Sequence, residues 1–197
     1  MNTTLAILAF GSIREEPGAD LAAAVTQRIE VQTPFRVEFA RSSRTRDGAP
    51  TLVPVSEGGA HVSASVLVLD EAVTVGDARD MLYRRETGRR DEVNTASSTD
   101  WIAELAGCAG INVCLYTALP ANIRPLTAQK LAELAVQSAA APAGAARRDG
   151  ISYLQQQKRN GVVTPLMASY EKAVLAHTGA CDLDGAWERA RTGAAPT

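Results

Sequence analysis

Two kinds of apolar segment are kept apart along this chain. Runs with a continuous or two-residue apolar period lie before residue 120, and helical periods, with one exception, lie after residue 126. Strands first and helices last is the pattern of an α+β domain and not of repeated βαβ units. Residues 4–10 are a short apolar run that stops at Gly11, the length and composition of a buried strand ended by a turn. Phe35, Val37 and Phe39 alternate with Arg36, Glu38 and Ala40, and residues 62–69 (VSASVLVL) are rich in β-branched side chains. Both read as sheet with one face inward. Residues 51–55 (TLVPV) carry Pro54, which cannot donate to a ladder and so assigns that strand to an edge or a bulge. Residues 111–119 are another strand-like run, ended by Pro120. The connections between the early strands are too short or too turn-rich for crossover helices. The strands at residues 5–9, 35–40, 62–69 and 111–116 are therefore expected in one small mixed, barrel-like sheet packed with helices.

The exception is the segment from Thr74. There Val75, Ala78, Met81, Leu82 and Arg85 share a helical face, Asp77 and Asp80 stand in the first turns where the helix dipole favours negative charge, and Glu86 comes at or near the end. Residues 87–99 (TGRRDEVNTASST) are polar and charged and read as a surface loop. Thr127 can cap a helix with Leu131, Leu134, Ala135 and Ser138 at helical spacing, broken by Pro142 and Gly144. Two further helices are expected over about 150–160 and 165–177, with Pro165 acceptable in a first turn. A length of 197 residues fits one domain over 1–197, its C-terminal helical part about 127–178 and a tail at 179–197.

Composition narrows the partners. With 20 Lys plus Arg against 22 Asp plus Glu, no global basic field attracts phosphate backbones, so nucleic acid is not expected as a partner. The run LAILAF is too short to span a bilayer and no basic stretch precedes it, which points to a cytoplasmic protein with no membrane partner. Cys108, Cys114 and Cys181 are odd in number and lack CxxC spacing, as suits reduced thiols.

Few groups remain to carry chemistry. His61 and His177 stand alone, and no HExxH, CxxC, GxSxG, phosphate-binding loop or GxGxxG occurs. Cys108 and Cys114 lie in apolar or small-residue surroundings that raise a thiol pKa, which disfavours a cysteine nucleophile. The SSRTRDG stretch at residues 42–48 reads as a hairpin loop with a tight Asp-Gly turn, against a basic rim for an anionic substrate. Gly11 and Ser12, where the first strand stops in FGSIR, can aim backbone N–H groups at one point, although any strand-ending turn has this look. Glu86, beside Arg84, Arg85, Arg89 and Arg90, is by itself either a solvated helix end or a catalytic acid.

Taken together, these segments resemble the gamma-glutamylcyclotransferase superfamily in their order and spacing. FGSIR resembles the family's YGSNL loop, FARSSRTRDGAPTLVPV its second and third strands, and DARDMLYRRETG its LDxxEG helix end. YTALPANIRPLT and ISYLQQQKRNGVVTPLMASYEKAVL resemble its last strand and closing helices. The resemblance covers most of residues 5–177. It implies that Glu86 is the single acid/base residue, that Phe10, Gly11, Ser12 and Ile13 line the substrate, and that Tyr153 does so too. Phe10 and Ile13 depart from the family's Tyr and Asn, and Thr87 stands where a Gly commonly follows the glutamate. The implied reaction is attack by the α-amine of a gamma-glutamyl compound on its own γ-carbonyl, giving 5-oxoproline and an amine with no metal or cofactor. The arginines beside Glu86 are expected to face solvent or the substrate's carboxylate, because an inward guanidinium favours a charged carboxylate. The implied partner is a small gamma-glutamyl molecule, with a homodimer left open. A non-catalytic small-molecule binding or interaction domain on the same fold is the other reading, since fold does not fix function.

Overall fold

Why the first strand forms is visible in its surroundings. β1 (Leu5–Ala9) is apolar at every position and buried at every position, as a strand covered on both faces must be. A computed structural model describes residues 4–88 and 100–193 of the chain. They fall into two compact units, one formed by residues 1–34 and 63–119, the other by residues 35–62 and 120–197.

In the first unit β1 is the middle of a five-stranded mixed sheet. β5 (Ser63–Leu69) pairs antiparallel on one side, with Ile7 opposite Leu67, and β7 (Ile111–Thr117) pairs parallel on the other, with Ala6 opposite Cys114. The edges are β2 (Val25–Gln32) next to β5 and β6 (Ile102–Cys108) next to β7. Two short helices, α1 (Ser12–Glu15) and α2 (Ala19–Ala24), link β1 to β2.

α3 (Val75–Thr87) follows β5. Thr74 caps it: its hydroxyl accepts from the Asp77 N–H while the Asp77 carboxylate accepts from the Thr74 N–H, and Gly88 in the left-handed region (φ 71°) ends it. The helix buries Ala78, Leu82 and Tyr83 in a core with Leu5, Ile7, Ile13, Leu21, Leu67 and Leu115. Full burial of a leucine such as Leu82 stabilises by about 1.5–3 kcal/mol. That face carries the helix's last turn, with Arg84, Arg85 and Glu86, alongside the end of β1.

In the second unit β3 (Val37–Ser43) and β4 (Ala49–Pro54) form a separate two-stranded antiparallel sheet. Its hairpin turns through a 3-10 segment at Arg44–Arg46, then Asp47 and Gly48, both at positive φ. The rest is helical: α4 (Ala128–Ala140), α5 (Pro142–Ala145), α6 (Gly150–Arg159), α7 (Met167–Thr178) and α8 (Leu183–Thr192). Phe39 meets Tyr153 and Tyr170 edge-on in this core. Glu38 is also buried, but it is fully engaged: Thr164 Oγ1, the Phe39 N–H and the Leu166 N–H all donate to its carboxylate.

Mixed α+β architecture is thus what the chain adopts, with three corrections. Among the described residues the strands close no barrel; the sheet has two open edges. Residues 35–40 do not join β1, β5 and β7 in one sheet, because β3 finds its ladder in β4, with an irregularity between Glu38 and Arg41. The stretch read as a tail after residue 178 includes α8, whose Trp187 donates to Gly144 O and stacks under the Arg147 guanidinium, 3.3 Å away. The loop read over residues 87–99 lies, from residue 89 on, outside the described residues. No helix of the described residues is long and apolar enough to cross a membrane.

Candidate functional site

Where β1 stops, the backbone makes a turn that a side chain would oppose. Phe10 is buried, Gly11 sits at φ 58° and ψ −134°, and α1 begins at Ser12. Of the residues in this turn, Phe10 and Ile13 send their side chains into the core, at 5% and 3% exposure. What they offer a ligand is backbone. Ser12, half-buried, keeps its hydroxyl at the surface of the turn. Arg14 is drawn aside: its Nε donates to Ser65 Oγ and its Nη2 pairs with Glu30 at 2.6 Å.

The last turn of α3 meets this turn through one guanidinium. Arg85 Nη2 donates to Ser12 Oγ at 3.0 Å and Arg85 Nε to Glu16 O at 2.9 Å. Arg85 Nη1 lies 3.5 Å from Glu86 Oε1, and the two side chains are only 17% and 18% exposed. Of the two expected orientations, solvent or a substrate's carboxylate, Arg85 does not take the first, since its head is held at the turn. The backbone acceptor at Glu16 captures its head. Arg84 does reach outward, to Asp20 at 3.2 Å. Arg89 and Arg90 lie outside the described residues.

The structure so brings Glu86 and Ser12 onto one guanidinium, with Gly11 at the head of the turn. Tyr153 belongs to the second unit. It is buried, with the Leu52 N–H donating to its hydroxyl at 3.5 Å and the Arg46 guanidinium 5.0 Å over its ring. The bond from Arg85 to Ser12 is the feature of the site that the sequence did not announce. The only signal for Arg85 was its place one residue before the glutamate, and in a run of arginines that signal is diluted.

Other chemistries find little footing. Burial pushes the Cys114 thiol up to about 12, with neighbouring Cys108 adding to the rise, so it is a poor nucleophile. Among the described residues no three His, Cys, Asp or Glu stand together as metal ligands. What the arrangement offers is a carboxylate, a fixed cation and a hydroxyl at a half-buried strand end, a set suited to binding an amino-acid-like molecule and moving protons on it. Comparison with protein families, with curated proteins and with solved structures gives no match to this chain.

Proposed function

We propose that the chain is a gamma-glutamylcyclotransferase-like enzyme, of that superfamily's fold, that converts a gamma-glutamyl compound into 5-oxoproline and a free amine or amino acid. The observation that carries this reading is the shared guanidinium of Arg85, which joins Glu86 to Ser12 of the FGSIR turn. The substrate's nucleophile and electrophile belong to one molecule, so proximity is built in and proton transfer is the main demand. Glu86 takes a proton from the α-ammonium. The freed amine attacks the γ-carbonyl carbon, and the carbonyl electron pair moves to oxygen. Ser12 and the N–H groups that follow Gly11 stabilise that oxygen. Collapse re-forms the carbonyl and breaks the bond to the departing nitrogen. Two protons leave the α-nitrogen and two reach the departing nitrogen, so a carboxylate that relays them ends as it began. The setting is the reducing cytoplasm, and no cofactor takes part.

Incubation with gamma-glutamyl amino acids, gamma-glutamyl amines and glutathione, with 5-oxoproline as the readout, tests the proposal. Release of 5-oxoproline from at least one of them supports it. No release from any overturns it. One observation favours a second reading: Glu86 already has a cationic partner in Arg85, as a purely structural pair would. On that reading the site binds a small carboxylate without turning it over, and thermal-shift screening of small carboxylates raises Tm where the gamma-glutamyl panel yields no product.

A further inference from the structure

We propose that Arg85 is the receptor for the ligand's α-carboxylate, and that Glu86 occupies the receptor only until the ligand arrives. This rests on the cyclotransferase reading and names the group its substrate must carry.

Arg85 is held as a fixed device. Its Nε is spent on Glu16 O and one Nη2 hydrogen on Ser12 Oγ. Its stem passes Gly18, where a Cβ would meet Arg85 Cγ at 3.4 Å. Two hydrogen bonds at the head reduce the rotamer freedom that an arginine ordinarily loses on binding. A guanidinium has five N–H donors; with two spent, three are left for another acceptor.

The acceptor in place is a weak one. Glu86 Oε1 stands 3.5 Å from Nη1, well beyond the roughly 2.7–2.9 Å of a good charge-assisted hydrogen bond. A free carboxylate can approach the same edge in the two-pronged geometry that arginine favours, which Glu86, tethered on the adjacent residue, does not reach. Both side chains are partly exposed, so a ligand has access, yet they are shielded enough for the exchange to matter.

The exchange also explains the order of the two residues. In an α-amino acid the carboxylate and the amine share one carbon. A ligand whose carboxylate docks on Arg85 therefore brings its ammonium beside the carboxylate it has displaced. Glu86 exchanges its contact with Arg85 for one with the arriving proton donor. Compounds whose α-carboxylate is masked lack the group that makes this exchange.

Calorimetric binding of L-glutamate and of its α-carboxamide, L-isoglutamine, to the wild-type protein tests the receptor without any variant. The expected result is a preference for L-glutamate of roughly ten- to a hundredfold, the range of a hydrogen bond to a charged group. R85Q is expected to lose that preference, and R85K to recover only part of it. Equal binding of the two ligands by the wild type, binding of neither, or a preference that survives in R85Q overturns the receptor. The cyclotransferase reading is separated by the gamma-glutamyl panel: preference without 5-oxoproline keeps the receptor and removes the reaction, and 5-oxoproline without preference does the reverse.

Discussion

Arg85 donates to the hydroxyl of Ser12 at 3.0 Å, joining two residues 73 positions apart in the chain. Through this bond the end of a helix and the end of a strand share one charged group. Neither partner was chosen by local propensity. Ser12 opens a single helical turn after Gly11, and Arg85 ends a helix whose buried face is set by Ala78, Leu82 and Tyr83.

Ser12→Ala deletes the hydroxyl and leaves the backbone N–H groups of the turn, and Arg85 keeps its bond to Glu16 O. Loss of one hydrogen bond to a charged group is expected to lower the rate of 5-oxoproline formation by roughly tenfold. Initial rates on the best gamma-glutamyl substrate measure it. A loss larger than that of Glu86→Gln would reverse the roles of the two residues and bring a serine-based reaction forward.

Two glycines are expected to respond in opposite directions. Gly18 has φ 89° and ψ 156°, a region that side chains rarely enter, so Gly18→Ala should destabilise by about 1–3 kcal/mol. Gly76 stands in the first turn of α3, where a Cβ meets only Thr74 Oγ1 at 3.6 Å, an ordinary contact. Gly76→Ala should stabilise by about 0.4–1 kcal/mol. Urea denaturation of the two variants compares them, and equal signs would contradict the backbone geometry at Gly18 and Gly76.

Legibility in the sequence followed burial. β1, β5 and β7, the three inner strands, are apolar and were readable, and so was α3 with its start near Thr74. The two edges were not. β2 is mostly polar (VTQRIEVQ) and half-exposed, and β6 (IAELAGC) is built largely from small residues, so neither has a strong two-residue period. Alternation at residues 35–40 correctly marked a strand but could not name its partner, because pairing is a tertiary choice. In α3 the face was placed slightly wrong: Val75 is exposed and Tyr83 is buried against Trp101. Within the candidate site, the strand-ending turn at Gly11 and Ser12 and the helix end at Glu86 were legible as local structure, and the family resemblance alone gave them roles. The inward turn of Arg85 was not legible, because it depends on Glu16 O, a backbone atom.

Glu30 offers a prediction in pH. A hydrogen bond from Ser65 Oγ, the largest effect, holds its carboxyl below the ordinary value of 4.5 against the opposing effect of burial, with help from the Arg14 and Arg28 guanidinium groups. A carboxyl with a lowered native value stabilises the fold above its unfolded-state value and loses that contribution as pH falls through the native one. Glu30 is exposed, so the effect should stay below about 1 kcal/mol. The stability difference between wild type and Glu30→Gln should be present at pH 7 and shrink progressively below about pH 4.5. A difference that grows on acidification would contradict the Ser65–Glu30–Arg14 arrangement.

The most direct test of the account is single-turnover formation of 5-oxoproline by Glu86→Gln, with substrate binding measured in parallel. This variant preserves the shape of residue 86 and removes its capacity to accept a proton. The account predicts binding within a few-fold of wild type and a rate lower by roughly 100-fold to 10,000-fold, the range for loss of a positioned general base. An undiminished rate with intact binding would remove Glu86 from the chemistry and leave 5-oxoproline formation to another group.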